Sequence, residues 1–395
     1  MNHLLSDRIN NLSTSQTLAM AALARELKAQ GKDIISLSLG EPDFNTPDFI
    51  KEAAKKAIDE NYSTYTPVDG YLELKEAICR KFKRDNGLDY KPANIVVSTG
   101  AKQSLYNIAQ VMINEGDEVI LPAPYWVSYY EIIKLSGGIP VVVPTTVESE
   151  FKITADQLAA ALTPKTKMIW FSSPCNPSGS VYSRQEFEAM AKVLADYPNV
   201  YAVADEIYEH INFSGSFCSI ASVPGMFDRT ITVNGVAKAF AMTGWRIGYI
   251  GAPEFIAKAC TKMQGQVTSG ANSIAQRATI AAVEADPSVL NDMVKAFHGR
   301  RDLVVKGVQE IPGFKCNVPE GAFYVFPDIS YYFGKTLRGK QINNADDFAM
   351  YLLSEANVAT VTGEAFGNPD CIRISYATSE EQLTEALRRI KEVLA

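Results

Sequence analysis

Seven short, continuously apolar segments separated by amphipathic stretches constrain this chain more than any other feature. They fall at residues 94–98, 118–121, 138–143, 168–171, 201–204, 230–233 and 247–250. Helical patterns precede the first (residues 50–61 and 72–86) and lie between most of the others. Residues 101–114 carry Leu105, Ile108, Ala109 and Met112 at helical spacing, and residues 186–196 repeat the pattern. Strands that are apolar along their whole length are buried on both faces. The alternation therefore predicts an α/β fold, a mainly parallel sheet covered by helices on each side.

Beyond a helix beginning near Ser273 the pattern changes to a long helix, a strand over 322–326, a charged loop, a strand over 372–375 and a closing helix over 380–394. This predicts a smaller α+β domain. A chain of 395 residues, 47% of them hydrophobic, exceeds one compact core. The expected division is a large domain over 46–284 and a small domain made of 1–45 and 285–395.

Lys+Arg 38 against Asp+Glu 45 gives a net charge of −7, a poor match to nucleic acid or an anionic membrane. The first residues, Met1 to Arg8, lack a signal pattern, and no apolar run is long enough to span a bilayer. Cys79, Cys175, Cys218, Cys260, Cys316 and Cys371 form no C-x-x-C pair, so reduced thiols in a cytoplasmic protein are expected. With His3, His210 and His298 as its only histidines, the chain is a poor candidate for a histidine metal site, and no metal is expected.

Ligands of parallel α/β sheets bind beyond the carboxyl ends of the strands. The unusual residues sit there. Asp205 follows 201–204 directly, Lys238 comes shortly after 230–233, Ser98-Thr99-Gly100 closes one strand and opens a helix, and Asn176 lies between Pro174 and Pro177 after 168–171. Lys238 has only small or apolar neighbours until Arg246. A buried lysine is costly unless paired or bonded.

Each feature also has a plain structural explanation. Lys238 could snorkel from a strand end. Asp205 could cap a helix over 206–209. Asn176 could serve a turn. The 98–101 turn could be an ordinary connection or a phosphate cradle at a helix N-terminus. Neither G-x-G-x-x-G nor G-x-x-x-x-G-K-[ST] occurs, which counts against NAD(P) and ATP sites of those kinds. Taken together, a lysine amine, a strand-end aspartate, a phosphate cradle and an arginine are what pyridoxal phosphate requires. The amine forms an imine with the aldehyde, the acid keeps the ring nitrogen protonated, and N–H donors with a cation hold the phosphate.

Further motifs follow in order: residues 38–44 (SLGEPDF), 65–67 (YTP), 124–126 (PYW), 176–179 (NPSG), 205–208 (DEIY), Lys238 with 244–246 (GWR), and 371–375 (CIRIS). In this order they resemble the fold-type I, class I pyridoxal-phosphate aminotransferases, and within them the bacterial aspartate aminotransferase subgroup, over nearly the whole chain. The resemblance implies a role for each position. Lys238 would carry the cofactor imine and shuttle the substrate proton. Asp205 would bind the ring nitrogen. Tyr208 and Asn176 would hold the ring oxygen, and Trp126 would stack on the ring. Arg246 with Gly100, Ala101 and Lys102 would take the phosphate, and Tyr65 would reach the phosphate of a neighbouring subunit in a homodimer with shared sites. Arg373 would clamp the substrate α-carboxylate, helped by Gly40 and Asn176. Lys102 would read the distal carboxylate, assisted by Ser15 and Thr17.

The partners implied are amino acids and 2-oxo acids. The reaction implied is ping-pong transfer of an amino group from L-aspartate to 2-oxoglutarate. An aromatic or prephenate aminotransferase and a β-lyase on the same fold share the core motifs. A non-enzymatic regulator would need an appended DNA-binding module. Two positions depart from the pattern: Gly235 and Ala237 stand where relatives often carry serine. They put in doubt how many side-chain donors the phosphate has.

Overall fold

The computed structural model describes residues 4–395. A seven-stranded sheet forms its centre. In chain order the strands are β1 (Ile95–Ser98), β2 (Glu118–Ala123), β3 (Ile139–Pro144), β4 (Thr166–Ser172), β5 (Tyr201–Asp205), β6 (Thr230–Gly235) and β7 (Gly248–Gly251). Their spatial order is β1-β7-β6-β5-β4-β2-β3. Every pairing among β2 to β6 is parallel. Strand β7 runs antiparallel to both of its neighbours. The expected mainly parallel sheet is therefore present with one reversed strand.

Alternate residues feed opposite faces, as the period of two requires. Val119, Leu121, Met168, Trp170, Val203, Ile231 and Val233 pack on one side with Leu105, Ile108 and Ile256. Ile120, Ile169, Phe171, Ala202 and Ala204 pack on the other with Phe187, Met190 and Leu194. Each fully buried aliphatic or aromatic side chain contributes about 1.5–3 kcal/mol.

The C-terminal part contains a three-stranded antiparallel sheet built from β8 (Tyr324–Val325), β9 (Val361–Thr362) and β10 (Ile372–Ser375), in the order β9-β10-β8. Helices Asn291–Gln309 and Glu380–Leu394 pack against each other beside it. The last helix begins where Ser379 Oγ accepts the Gln382 N–H, and it buries Leu383, Leu387 and Ile390 at helical spacing. The N-terminal segment joins this part. Ile35–Ser36 pairs in parallel with Val358–Ala359, and the Leu37 carbonyl accepts the Ser375 N–H at 2.9 Å.

Three local differences from the sequence pattern have physical reasons. The strand expected over 322–326 pairs only at Tyr324–Val325, because Ala322 adopts a left-handed conformation (φ 56°). The helix at Gln16–Ala29 has no counterpart in the sequence pattern. Only Ala21 and Ala24 are buried along it, so its apolar stripe is weak. Residues 206–209 form turns rather than a helix. Among the described residues all six cysteines are free, and no helix is long and apolar enough to cross a membrane.

Candidate active site

Strands β1, β4, β5 and β6 end at one edge of the sheet, and β7 begins there. Ser98 pairs with Gly248, Ser172 with Asp205, and Gly235 with Gly248. The residues singled out at the strand ends therefore converge.

Asp205 closes β5 and is almost fully buried. Its Oδ2 accepts the Tyr129 hydroxyl at 2.6 Å, and its Oδ1 accepts the Ile207 N–H at 3.2 Å. Burial pushes its pKa up to about 6 against those bonds. No helix follows, so capping does not explain the aspartate. Tyr208, also buried, lies with its Oη 2.7 Å from the Tyr324 Oη.

The Lys238 Nζ donates to the Gly40 carbonyl at 2.5 Å and lies 5.7 Å from the Tyr208 ring centroid. Burial lowers its pKa to about 8, against the pull of Glu41. Arg373, on β10, is 1% exposed. Its Nη1 donates to Asn176 Oδ1 at 3.0 Å and its Nη2 to the Ser38 carbonyl at 2.6 Å, while its buried Nε has no partner.

Gly100 takes a left-handed φ of 82° before the helix Ala101–Met112, and a Cβ on it would overlap the Arg246 guanidinium. Arg246 is itself left-handed (φ 56°) and donates to the Thr243 carbonyl at 2.8 Å. The Arg246 guanidinium thus lies against the first turn of that helix, where the Ala101 and Lys102 N–H groups precede the first helical bonds, which start with the Gln103 N–H donating to the Gly100 carbonyl. Lys102, in the same turn, places its Nζ 4.8 Å from the Trp126 ring centroid. Burial, and then Arg246, lower the pKa of Lys102.

Lys102, Arg246 and Ser15 line a cavity of about 880 Å³. Trp126 lies beneath Lys102 and meets Tyr129 edge to face. Thr17 sits in the first turn of Gln16–Ala29, away from the cavity lining. Tyr65 is 96% exposed and touches none of these groups within its own chain.

Three contributors escaped the sequence reading. Tyr129 holds Asp205, and Tyr324 meets Tyr208. Glu209 anchors the turn that carries Tyr208: it is buried and bonded to Lys81, to Asn86 at 2.8 Å and to Asn234 at 2.8 Å. A buried tyrosine between apolar neighbours reads as core, so no signal marked the first two.

The arrangement fits pyridoxal phosphate on its own geometry. Arg246 lies near Lys102 and Lys238, Arg373 lies near Lys238, and none of the four forms an ion pair with a carboxylate among the described residues. Arg373 is buried and Lys238 partly so, whereas Lys102 and Arg246 are exposed; a buried charge normally has a partner. Cations without counterions, an orphaned Arg373 N–H and a cradle that a Cβ would fill describe a site made for anions. The protonatable Asp205 suits a ring nitrogen.

The chain matches the family Aminotransferase class I and II over residues 32–390. It is 50% identical, over 99% of its length and 98% of the relative, to an aspartate/prephenate aminotransferase of Cereibacter sphaeroides. Its fold is similar to the aspartate aminotransferase of Rhizobium meliloti, with a TM-score of 0.95 at 45% identity, covering 99% of this chain and 98% of that one. The aspartate aminotransferase of Thermus thermophilus with maleate gives a TM-score of 0.93 at 41% identity, covering 99% of each chain. The chain belongs to the class I and II aminotransferases.

Proposed function

We infer that this enzyme is a pyridoxal-phosphate-dependent aspartate aminotransferase, converting L-aspartate and 2-oxoglutarate to oxaloacetate and L-glutamate in two half-reactions. The observation that carries the reading is the buried Arg373 with its unpartnered Nε, together with Lys238, Arg246 and Lys102, none of which forms an ion pair with a carboxylate among the described residues. One phosphate and two substrate carboxylates are the anions that such a site takes.

Bound pyridoxal phosphate supplies an electrophilic carbon and a protonated ring that accepts electron density. The chain's own residues do the rest. Asp205, held by Tyr129 and the Ile207 N–H, stabilises positive charge on the ring nitrogen. Tyr208 and Asn176 would hold the ring oxygen, and Trp126 would offer its face to the ring. Arg246 and the Gly100, Ala101 and Lys102 backbone take the phosphate. Arg373 and Gly40 would hold the α-carboxylate close to Lys238, whose Nζ donates to the Gly40 carbonyl. With a pKa near 8, Lys238 has an appreciable neutral fraction close to neutral pH and can take and return that proton. Lys102, with Ser15 in the same cavity wall, reads the distal carboxylate, and Thr17, away from that lining, has no part in it.

The exposure of Tyr65 supports a homodimer in which it reaches the partner's phosphate site. The pairing of Ile35–Ser36 with Val358–Ala359 supports a small domain of 1–45 and 285–395 beside a large one of 46–284. Charge and cysteine usage support a cytoplasmic location. The name of the Cereibacter relative favours prephenate as a second substrate.

One panel tests the reading: an absorption spectrum of the protein with pyridoxal phosphate, then turnover with aspartate, phenylalanine, tyrosine and glutamate as donors against 2-oxoglutarate, oxaloacetate and prephenate. Aspartate with 2-oxoglutarate is expected to be the best pair. A protein that binds no cofactor, or prefers aromatic donors, overturns it.

A further inference from the structure

Tyr324 belongs to the carboxylate side of the site by its backbone and to the cofactor side by its hydroxyl. It lies on β8, paired in register with Ser375 of β10, two residues from Arg373. It is fully buried. The Arg373 guanidinium stands 4.6 Å from the Tyr324 ring centroid. That face is its closest aromatic support, with Phe366 at 5.0 Å. The Tyr324 hydroxyl crosses to the central-sheet side and meets the Tyr208 hydroxyl at 2.7 Å. A Cβ on Gly40, whose carbonyl holds Lys238, would collide with the same hydroxyl.

We propose that Tyr324 is a positioning residue that couples the carboxylate clamp to the cofactor-facing tyrosine, so that occupancy of Arg373 is felt at Tyr208. The inference rests on the aminotransferase reading given above. Its physical content is a division of labour within one side chain. The ring carries the arginine by cation–π attraction, which is stronger where the cation is desolvated. The hydroxyl bonds Tyr208, and hydrogen bonds in series polarise one another. A carboxylate bound at Arg373 neutralises the guanidinium and changes its pull on the Tyr324 ring. The shared ring then shifts its hydroxyl against Tyr208. Linkage requires the converse: whatever Tyr208 binds must alter carboxylate affinity equally.

Two variants separate the halves. Tyr324→Phe keeps the ring and removes the bond to Tyr208. Tyr324→Leu removes both. The probe is maleate, an unreactive dicarboxylate, titrated into each protein carrying pyridoxal phosphate, with the pH midpoint of the bound chromophore read with and without it. Apoprotein affinity for pyridoxal phosphate is measured separately by fluorescence.

For Tyr324→Phe, maleate should bind within about threefold of wild type, while the midpoint displacement caused by maleate falls by at least half. Cofactor affinity should weaken about three- to tenfold, the worth of one neutral hydrogen bond. For Tyr324→Leu, maleate binding should weaken by about 30-fold, the worth of a desolvated cation–π contact. An unchanged displacement in Tyr324→Phe overturns the proposal. So does equal maleate affinity in the two variants. A wild-type protein that shows no chromophore would instead overturn the aminotransferase reading itself.

Discussion

Replacing Lys102 by alanine tests how a dicarboxylate is told from a neutral amino acid. Three effects make Lys102 an expensive residue where it stands. It sits in the first turn of Ala101–Met112, where the helix dipole disfavours a cation. Burial lowers its pKa, and Arg246 adds repulsion. No carboxylate compensates; its one close electrostatic contact is the Trp126 ring at 4.8 Å. A hydrogen bond to a charged group is worth about 1.5–3 kcal/mol. Leaving the Trp126 face offsets about 0.5–1 kcal/mol of that. The net loss of about 0.5–2.5 kcal/mol corresponds to about a 2- to 70-fold drop in kcat/KM for aspartate. Phenylalanine and tyrosine, which have no distal carboxylate, should stay within about twofold. The assay is steady-state kinetics on the three donors with 2-oxoglutarate fixed. The pH dependence has a definite sign. Because the lysine pKa is lowered, its charge disappears at a lower pH than that of a free lysine. The preference for aspartate over phenylalanine should therefore fade as pH rises, and Lys102→Arg should hold it constant. Equal losses on aspartate and phenylalanine in Lys102→Ala would refute the argument and make Lys102 a phosphate residue.

Lys238→Ala should still bind pyridoxal phosphate but lose transamination, by at least the 10²–10⁴-fold worth of acid–base catalysis; borohydride reduction and peptide mapping of the wild type should label Lys238 and no other lysine. Since the neutral amine is the attacking form and its pKa is about 8, covalent capture of pyridoxal phosphate by the apoprotein should accelerate as pH rises through that value. Asp205, raised from 3.8 to about 6, holds a proton in the folded apoprotein that the unfolded chain has released between those values. Apoprotein stability should therefore fall as pH rises through that window, and Asp205→Asn should flatten the slope in denaturant melts while cutting kcat by orders of magnitude. Arg373→Ala should weaken every amino-acid substrate by about 2–5 kcal/mol, whatever its side chain; an effect limited to dicarboxylates in the same donor panel would reassign it.

What the sequence made legible followed from periodicity and from residue types out of place. Helices 72–86 and 380–394 and strand 372–375 were readable to the residue, because a clean apolar stripe or run meets a clear boundary there. Asp205 and Lys238 stood out because a charge in apolar surroundings needs a reason, whereas Arg373 was marked only by the family resemblance of its motif. Tyr129 and Tyr324 did not, because a buried tyrosine is ordinary and only its hydroxyl partner gives it a role. Glu209 was hidden for the opposite reason. Its partners Lys81, Asn86 and Asn234 come from two other elements, so nothing local announces the cluster.

The reversed strand was equally invisible, since an apolar run has the same period in either direction, yet the site depends on it. Were β7 parallel, its first residue would lie at the opposite edge of the sheet, and the preceding Arg246 with it. Running antiparallel, β7 places Gly248 between Ser98 and Gly235, at the edge where the parallel strands end. Arg246 then lies against the Gly100–Ala101 turn. The closeness has its own consequence. A Cβ on Gly248 would overlap the Ala101 backbone, and a Cβ on Gly235 would lie 2.9 Å from the Ile247 carbonyl and 3.1 Å from Gly248 Cα. Position 235 has no room here for a side chain without moving β7. The glycine is what that contact allows. On the proposed reading the phosphate would fall to Arg246 and to backbone N–H groups, which the reversal of β7 brings together.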